Sequence, residues 1–200
     1  MRIRSIRVLS GPNYWSIRRH KLIQMRLDLE DLQERPTNTI PGFKERLQTL
    51  LPGLWEHQCS RGCYGGFLQR VEEGTLMGHV VEHVALELQT LAGMKVDFGR
   101  TRETSTPGTY NVVFEYQEAE AGRFAAKAAV YLCQALVDGE DYRRDLELDI
   151  QELREIRENV RFGPSTQALL DEAALRGIPY LRLNKGSLVQ LGYGVYQTAH

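Results

Sequence analysis

What the 200-residue chain lacks narrows its class first. No stretch of 18 apolar residues occurs, so no membrane-spanning helix is expected. The opening Met1-Arg2-Ile3-Arg4-Ser5-Ile6-Arg7 alternates charge with apolar residues and has no apolar centre of a secretion signal. Cysteine is scarce: Cys59, Cys63 and Cys133 are odd in number and too few for a disulfide framework, which points to a reducing cytoplasm. Internal repeats and low-complexity segments are absent, as is the phosphate-binding pattern G-x-x-x-x-G-K-[ST]. With 42% hydrophobic and 26% charged residues, the composition is that of a soluble globular protein, one domain of about 150 residues plus a smaller piece.

Acidic residues are also missing from the first 27 positions. Arg2, Arg4, Arg7, Arg18, Arg19, Lys21 and Arg26 all precede Asp28, although the net charge is only -1. A solvated strand-and-helix surface accounts for scattered charges of this kind, and a seat for an anionic partner is the sharper alternative. Nucleic acid does not fit, because the chain from Asp28 onward is acidic on balance. A carboxylate-rich peptide or a nucleotide fits better.

Periodicity and turn signals place the elements. Residues 2–10 read as a strand ended by Gly11-Pro12-Asn13, and residues 15–34 as largely helical. A short amphipathic helix is expected over 42–51, a strand over 67–71, a long helix over 75–92 closed by Gly93, and a buried strand over 110–116. Helices follow over 118–136 and 142–160. Gly163-Pro164-Ser165-Thr166 opens another helix, and Tyr180–Leu183 and Ser187–Leu191 are candidates for a hairpin across Asn184-Lys185-Gly186. The expected fold class is α+β: a mixed sheet with helices packed on one face, a two-layer sandwich, plus a C-terminal helix-hairpin appendage. The expected division is 1–161 and 162–200.

One constellation is chemically specific. His79-Val80-Val81-Glu82-His83 is an H-x-x-E-H motif of the inverzincin kind. On a helix His83 falls about 40° and Glu82 about 300° from His79, so the three share a face, while Met77, Val80, Val84, Leu88 and Leu91 cluster opposite. Histidines one turn apart can both ligate Zn²⁺ and leave the glutamate free to act as general base in amide hydrolysis. Two polar-face histidines with an incidental glutamate are the competing reading. A third ligand is required, and Glu87 is too far along the same helix, about 12 Å from His79. In inverzincin peptidases a glutamate from a later helix serves; here Glu147 is the choice, with Asp149, Glu152, Glu120, Glu118 and Asp145 as rivals. His57-Gln58-Cys59 with Cys63 is a weaker metal signal, idle thiols being the simpler reading. Arg100, in the polar stretch after Phe98-Gly99, is a candidate for substrate carboxylates.

Taken together, Gly11-Pro12-Asn13-Tyr14-Trp15-Ser16, Gly78 to Glu87, Phe98-Gly99-Arg100-Thr101-Arg102-Glu103 and Gly163-Pro164-Ser165-Thr166 resemble the N-terminal region of the cyanophycin synthetase family over essentially the whole chain. The resemblance implies a parent ligase that uses ATP and Mg²⁺ to add aspartate to a backbone and arginine to each aspartate side chain, with ATP-grasp and Mur-ligase-like domains. On that likeness residues 162–200 open the ATP-grasp domain. The remaining ligase domains in cis and the cyanophycin polymer are the implied partners, in a homo-oligomer, with neither nucleic acid nor membrane. Arg18, Arg19 and Arg100 are the expected polymer contacts. Combined with the motif, the expectation is a zinc peptidase, ligated by His79, His83 and Glu147 with Glu82 as base, that cuts cyanophycin into primers. A non-catalytic polymer-binding or structural domain is the alternative.

Overall fold

In the computed structural model, residues 1–159, 162–184, 186–192 and 198–199 are described. They fall into two compact units, Met1–Ile156 and Arg157–His200. The first carries strands β1 (Arg2–Ser10) and β2 (Lys21–Asp28), helices α1 (Phe43–Leu50), α2 (Gly66–Glu73) and α3 (Met77–Leu91), strands β3 (Gly99–Glu103) and β4 (Thr109–Glu115), then helices α4 (Ala119–Asp138) and α5 (Arg143–Asn159), the last turn of α5 passing into the second unit.

The fold is α+β, built on a four-stranded sheet in the order β1-β2-β4-β3. All of its pairings are antiparallel, where a mixed sheet was expected. Short connections explain two of the three: residues 11–20 and 104–108 are too short for the crossover a parallel pair needs, so each joins a hairpin. One face of the sheet, with Ile23, Met25, Leu27, Val112 and Phe114, packs with α3 and α4 in the main core. The opposite face holds a smaller cluster of Trp15, Leu22 and Val113.

Three segments differ from the sequence expectation. Residues 15–34 are not mainly helical. Asn13 gathers the 11–20 connection by donating to the Gly11 and Arg19 carbonyls and accepting from the Trp15 and Ser16 amides, and β2 then pairs on both sides. Leu, Met, Gln and Arg favour helix weakly, and two-sided strand pairing with Ile23, Met25 and Leu27 on the core face overrides that preference. Phe67–Val71 lies in a helix, not a strand, because Phe67, Leu68 and Val71 bury at helical spacing. Arg100–Glu103, a polar stretch with no strand signal in the sequence, lies in the edge strand β3, whose charged residues suit an edge.

Helix α3 lies against β3 and β4 at close range. A Cβ on Gly78 would sit 3.3 Å from Thr101 Cγ2, so the helix meets the sheet through a hydrogen atom. Met77, Val80, Val84 and Leu88 are fully buried, while Leu91 is partly exposed on the edge of the cleft described below. Helix α4 uses the same device: its buried face is mostly alanine, and a Cβ on Gly122 would fall 2.7 Å from both Ile23 Cγ1 and Tyr116 Cβ.

In the second unit, α6 (Pro164–Leu175) begins at Gly163-Pro164, and β5 (Tyr180–Arg182), β6 (Val189–Leu191) and β7 (Thr198–Ala199) form an antiparallel sheet. Lys185, in the expected hairpin turn, and Val160, at the expected end of the preceding helix, lie outside the described residues. Among the described residues no helix is long and apolar enough to cross a membrane.

Candidate metal centre

The segment between α1 and α2 meets the polar face of α3. Pro52 starts a 3₁₀ turn over Pro52–Glu56, and the Gly65 and Phe67 amides donate to the Trp55 and His57 carbonyls, tying the loop to the start of α2. His57 and Cys59 are thereby held over α3. Cys59 adopts φ 54, a left-handed conformation that is rare for a residue with a Cβ and that clusters at functional sites.

His79, Glu82 and His83 project from one side of α3 into a cleft of about 1340 Å³, as their spacing predicts, and Cys59, Arg100 and Thr101 line the same cleft. Cys59 Sγ lies 3.2 Å from His79 Nε2, and His79 Nδ1 is 3.1 Å from Thr75 Oγ1. Ligand atoms of Cys59, His79 and His83 all fall within 4.8 Å of one another. Glu82 stands beside them: Thr101 donates its hydroxyl proton to Oε2 at 2.6 Å, and Oε1 is 3.9 Å from His83 Nε2. Phe67 stacks on the His83 ring at 4.1 Å between centroids.

Burial sets the charge states. Desolvation lowers the His83 pKa well below the usual imidazole range, helped by His79, His57 and Arg70. Desolvation and then Arg70 bring His79 down to about 4. Both rings are neutral at pH 7, with lone pairs to offer. Glu82 is 5% exposed, and its desolvation raises the carboxyl to about 7 against the opposing pull of the Thr101 hydrogen bond and of Arg100, Arg102 and Arg70.

The third ligand atom in the cluster is Cys59 Sγ, not a carboxylate of Glu147. Glu147 is exposed on α5, and neither it nor any of its rivals lines the cleft; Asp149 instead accepts from the Tyr142 hydroxyl at 2.9 Å. It is the loop before α2, not a later helix, that brings a side chain against His79. The His57-x-Cys59 pair was the signal available in the sequence, and Cys63 is exposed rather than part of the cluster. Arg100 lines the edge of the cleft, and its Nη1 donates to the carbonyl of Trp15, which belongs to the cluster on the opposite face of the sheet, at 3.2 Å. Arg19 is engaged by Asp97 at 2.7 Å and Glu115 at 3.5 Å, and Arg18 is exposed on the 11–20 connection; neither lines the cleft.

Fold and site together define an α+β domain whose sheet-packed helix presents a nitrogen- and sulfur-donor cluster beside a buried carboxylate. Residues 24–138 match the family model of the cyanophycin synthase-like N-terminal domain, and the chain belongs to that family. It is 62% identical over 196 residues to the cyanophycin synthetase of Trichormus variabilis, 61% over 198 to that of a Synechocystis strain, and 59% over 198 to that of Crocosphaera subtropica. Each alignment takes in 98% of this chain, which spans only 22 to 23% of the length of these curated relatives.

Proposed function

We propose that the chain is a zinc-dependent peptidase acting on cyanophycin, and that the short chains it releases prime a longer ligase of which it forms the N-terminal part. The observation that carries this reading is the convergence of Cys59 Sγ with ring nitrogens of His79 and His83 to within 4.8 Å beside Glu82. One thiolate and two neutral imidazoles are a donor set that suits zinc, and three protein ligands leave a position open. Bound there, zinc would supply the Lewis acidity that activates water toward an amide carbonyl.

The protein's own groups perform the proton transfers. Thr101 fixes Oε2 of Glu82, leaving Oε1 turned toward the cluster as general base. The carboxylate can accept a proton from the attacking water through Oε1 and return it to the leaving amine. Arg100 and Arg102, exposed on β3 beside the cleft, suit the carboxylates of an aspartate backbone. In the longer protein, residues 162–200 lead into the ATP-grasp domain, and ATP and Mg²⁺ serve that ligase in the cytoplasm.

The test is incubation of the purified chain with cyanophycin, following release of short peptides. Chelation is expected to stop cleavage and added zinc to restore it. Glu82→Gln is expected to lower the rate by at least about 10²-fold while zinc content and circular dichroism stay native. Cleavage indifferent to both treatments sinks the mechanism; polymer binding without turnover in the native chain makes it a non-catalytic binding domain.

A further inference from the structure

Glu87 and His57 stand behind the cluster without belonging to it. His57 Nδ1 lies 2.9 Å from His83 Nδ1, and His57 Nε2 lies 3.0 Å from Glu87 Oε2. We infer that Glu87 and His57 form a carboxylate–imidazole chain that fixes the tautomer and orientation of His83, so that both are positioning residues for the metal site. The inference rests on the zinc reading above and adds two residues to it.

With Glu87 as a carboxylate and His57 uncharged, one arrangement of protons satisfies both contacts. An ionised carboxylate only accepts, so His57 carries its proton on Nε2 and donates it to Glu87. A neutral His57 then has a lone pair on Nδ1. The 2.9 Å contact between the two Nδ1 atoms needs one proton, and His83 must provide it. His83 is thereby the Nδ1–H tautomer, with the lone pair of Nε2 directed to the side where Glu82 Oε1 stands 3.9 Å away. Ligating histidines commonly donate their other ring N–H in this way, which fixes the ring and raises its basicity.

The supporting groups are held before any metal arrives. Glu87 is 3% exposed, a costly position for a carboxylate unless its hydrogen bonding is secured. Gly53 makes room for it: a Cβ there would fall 2.0 Å from Glu87 Oε1. His57 is fixed through its backbone, its amide donating to Leu54 and its carbonyl accepting from Phe67. The same Phe67 stacks on the His83 ring with 24° between planes. Stacking restrains how the His83 ring is turned, and the chain from Glu87 settles which nitrogen is free.

Zinc affinity of the full 200-residue chain, measured by competition with a chromophoric chelator, tests this. His57→Ala is expected to raise the zinc Kd about 10- to 100-fold. Glu87→Gln keeps an acceptor but loses the charge, and is expected to cause a smaller loss. Both are expected to shift the visible spectrum of the Co²⁺-substituted protein. Kd values within about twofold of native for both folded variants, with a native Co²⁺ spectrum, overturn the inference. Should either variant fail to fold, nitrogen NMR of the zinc-loaded native chain decides: His57 protonated on Nε2 and His83 on Nδ1 is the expected result, and His83 protonated on Nε2 overturns it. A native chain that binds no zinc overturns this inference and the peptidase reading together; one that binds zinc and cleaves, with unaltered variants, overturns this inference alone.

Discussion

His79, Glu82 and His83 are three buried or half-buried titratable groups whose shifts oppose one another, and that opposition is measurable. In the folded metal-free chain His79 takes its proton only near pH 4 and His83 well below the 6.5 of a free imidazole, which describes both in the unfolded chain. As pH falls below 6.5 the unfolded state therefore binds more protons at both sites, and stability declines. Glu82 acts the other way: with a folded value of about 7 against 4.5 unfolded, it binds its proton first in the folded state and adds stability as pH falls from 7. Two histidines against one carboxyl leave a net loss of about 1.4 kcal/mol per pH unit for the uncompensated proton. Urea unfolding of the zinc-free chain is expected to show declining stability from pH 6.5 toward 4.5, and a steeper decline in Glu82→Gln. Equal slopes in the two proteins would refute a raised carboxyl.

At the scale of elements, helix position depends on side chains that are not there. Alanine is the stronger helix former by up to about 1 kcal/mol, so Gly122→Ala, at the fourth residue of α4, favours an isolated helix. In the protein the new methyl meets Ile23 on β2 and the Cβ of Tyr116, the latter unable to swing away. The overlap is expected to win, lowering stability by about 1 to 3 kcal/mol in denaturant unfolding; a gain in stability would show that α4 can lift from the sheet without cost. The same dependence on partners explains which elements could be read from sequence. β4 has three adjacent apolar residues, Val112 to Phe114, and α3 has Met77, Val80, Val84 and Leu88 recurring at helical spacing, so each is legible alone. β2, α2 and β3 are not, because Gln24 and Arg26 resemble a helix surface until β1 and β4 pair beside them, and Phe67-Leu68-Gln69-Arg70-Val71 is too short for its period to be decided.

Over the whole molecule, the legible part of the site was the part written on one helix. His79, Glu82 and His83 are joined by a fixed rotation per residue, whereas Cys59, His57 and Thr101 arrive from a loop and an edge strand, and nothing local announces that these meet α3. Glu87, set aside as too distant along the helix axis, reaches the cluster through a second side chain rather than by its own length. Every one of these residues lies in the unit Met1–Ile156. Zinc at 100 times its Kd stabilises the state that binds it by about 2.7 kcal/mol, or roughly 5 to 10 °C in melting temperature for a domain of this size. Calorimetry with and without chelator is expected to show that rise in the transition of the larger unit and none in residues 157–200; no shift at saturating zinc would remove the metal centre from the protein.

Gly53 and Gly99 cast the two carboxylates of the site as a mould casts its object. A Cβ on Gly99 would lie 2.3 Å from Glu82 Oε1, and one on Gly53 would lie 2.0 Å from Glu87 Oε1. Neither glycine carries a charge, a nucleophile or a ligand atom, so a survey of the protein by chemical character passes over both. Exchanging a single hydrogen for a methyl group at either position would push an acid from its present seat, so two residues that take part in no chemistry set where both carboxylates stand.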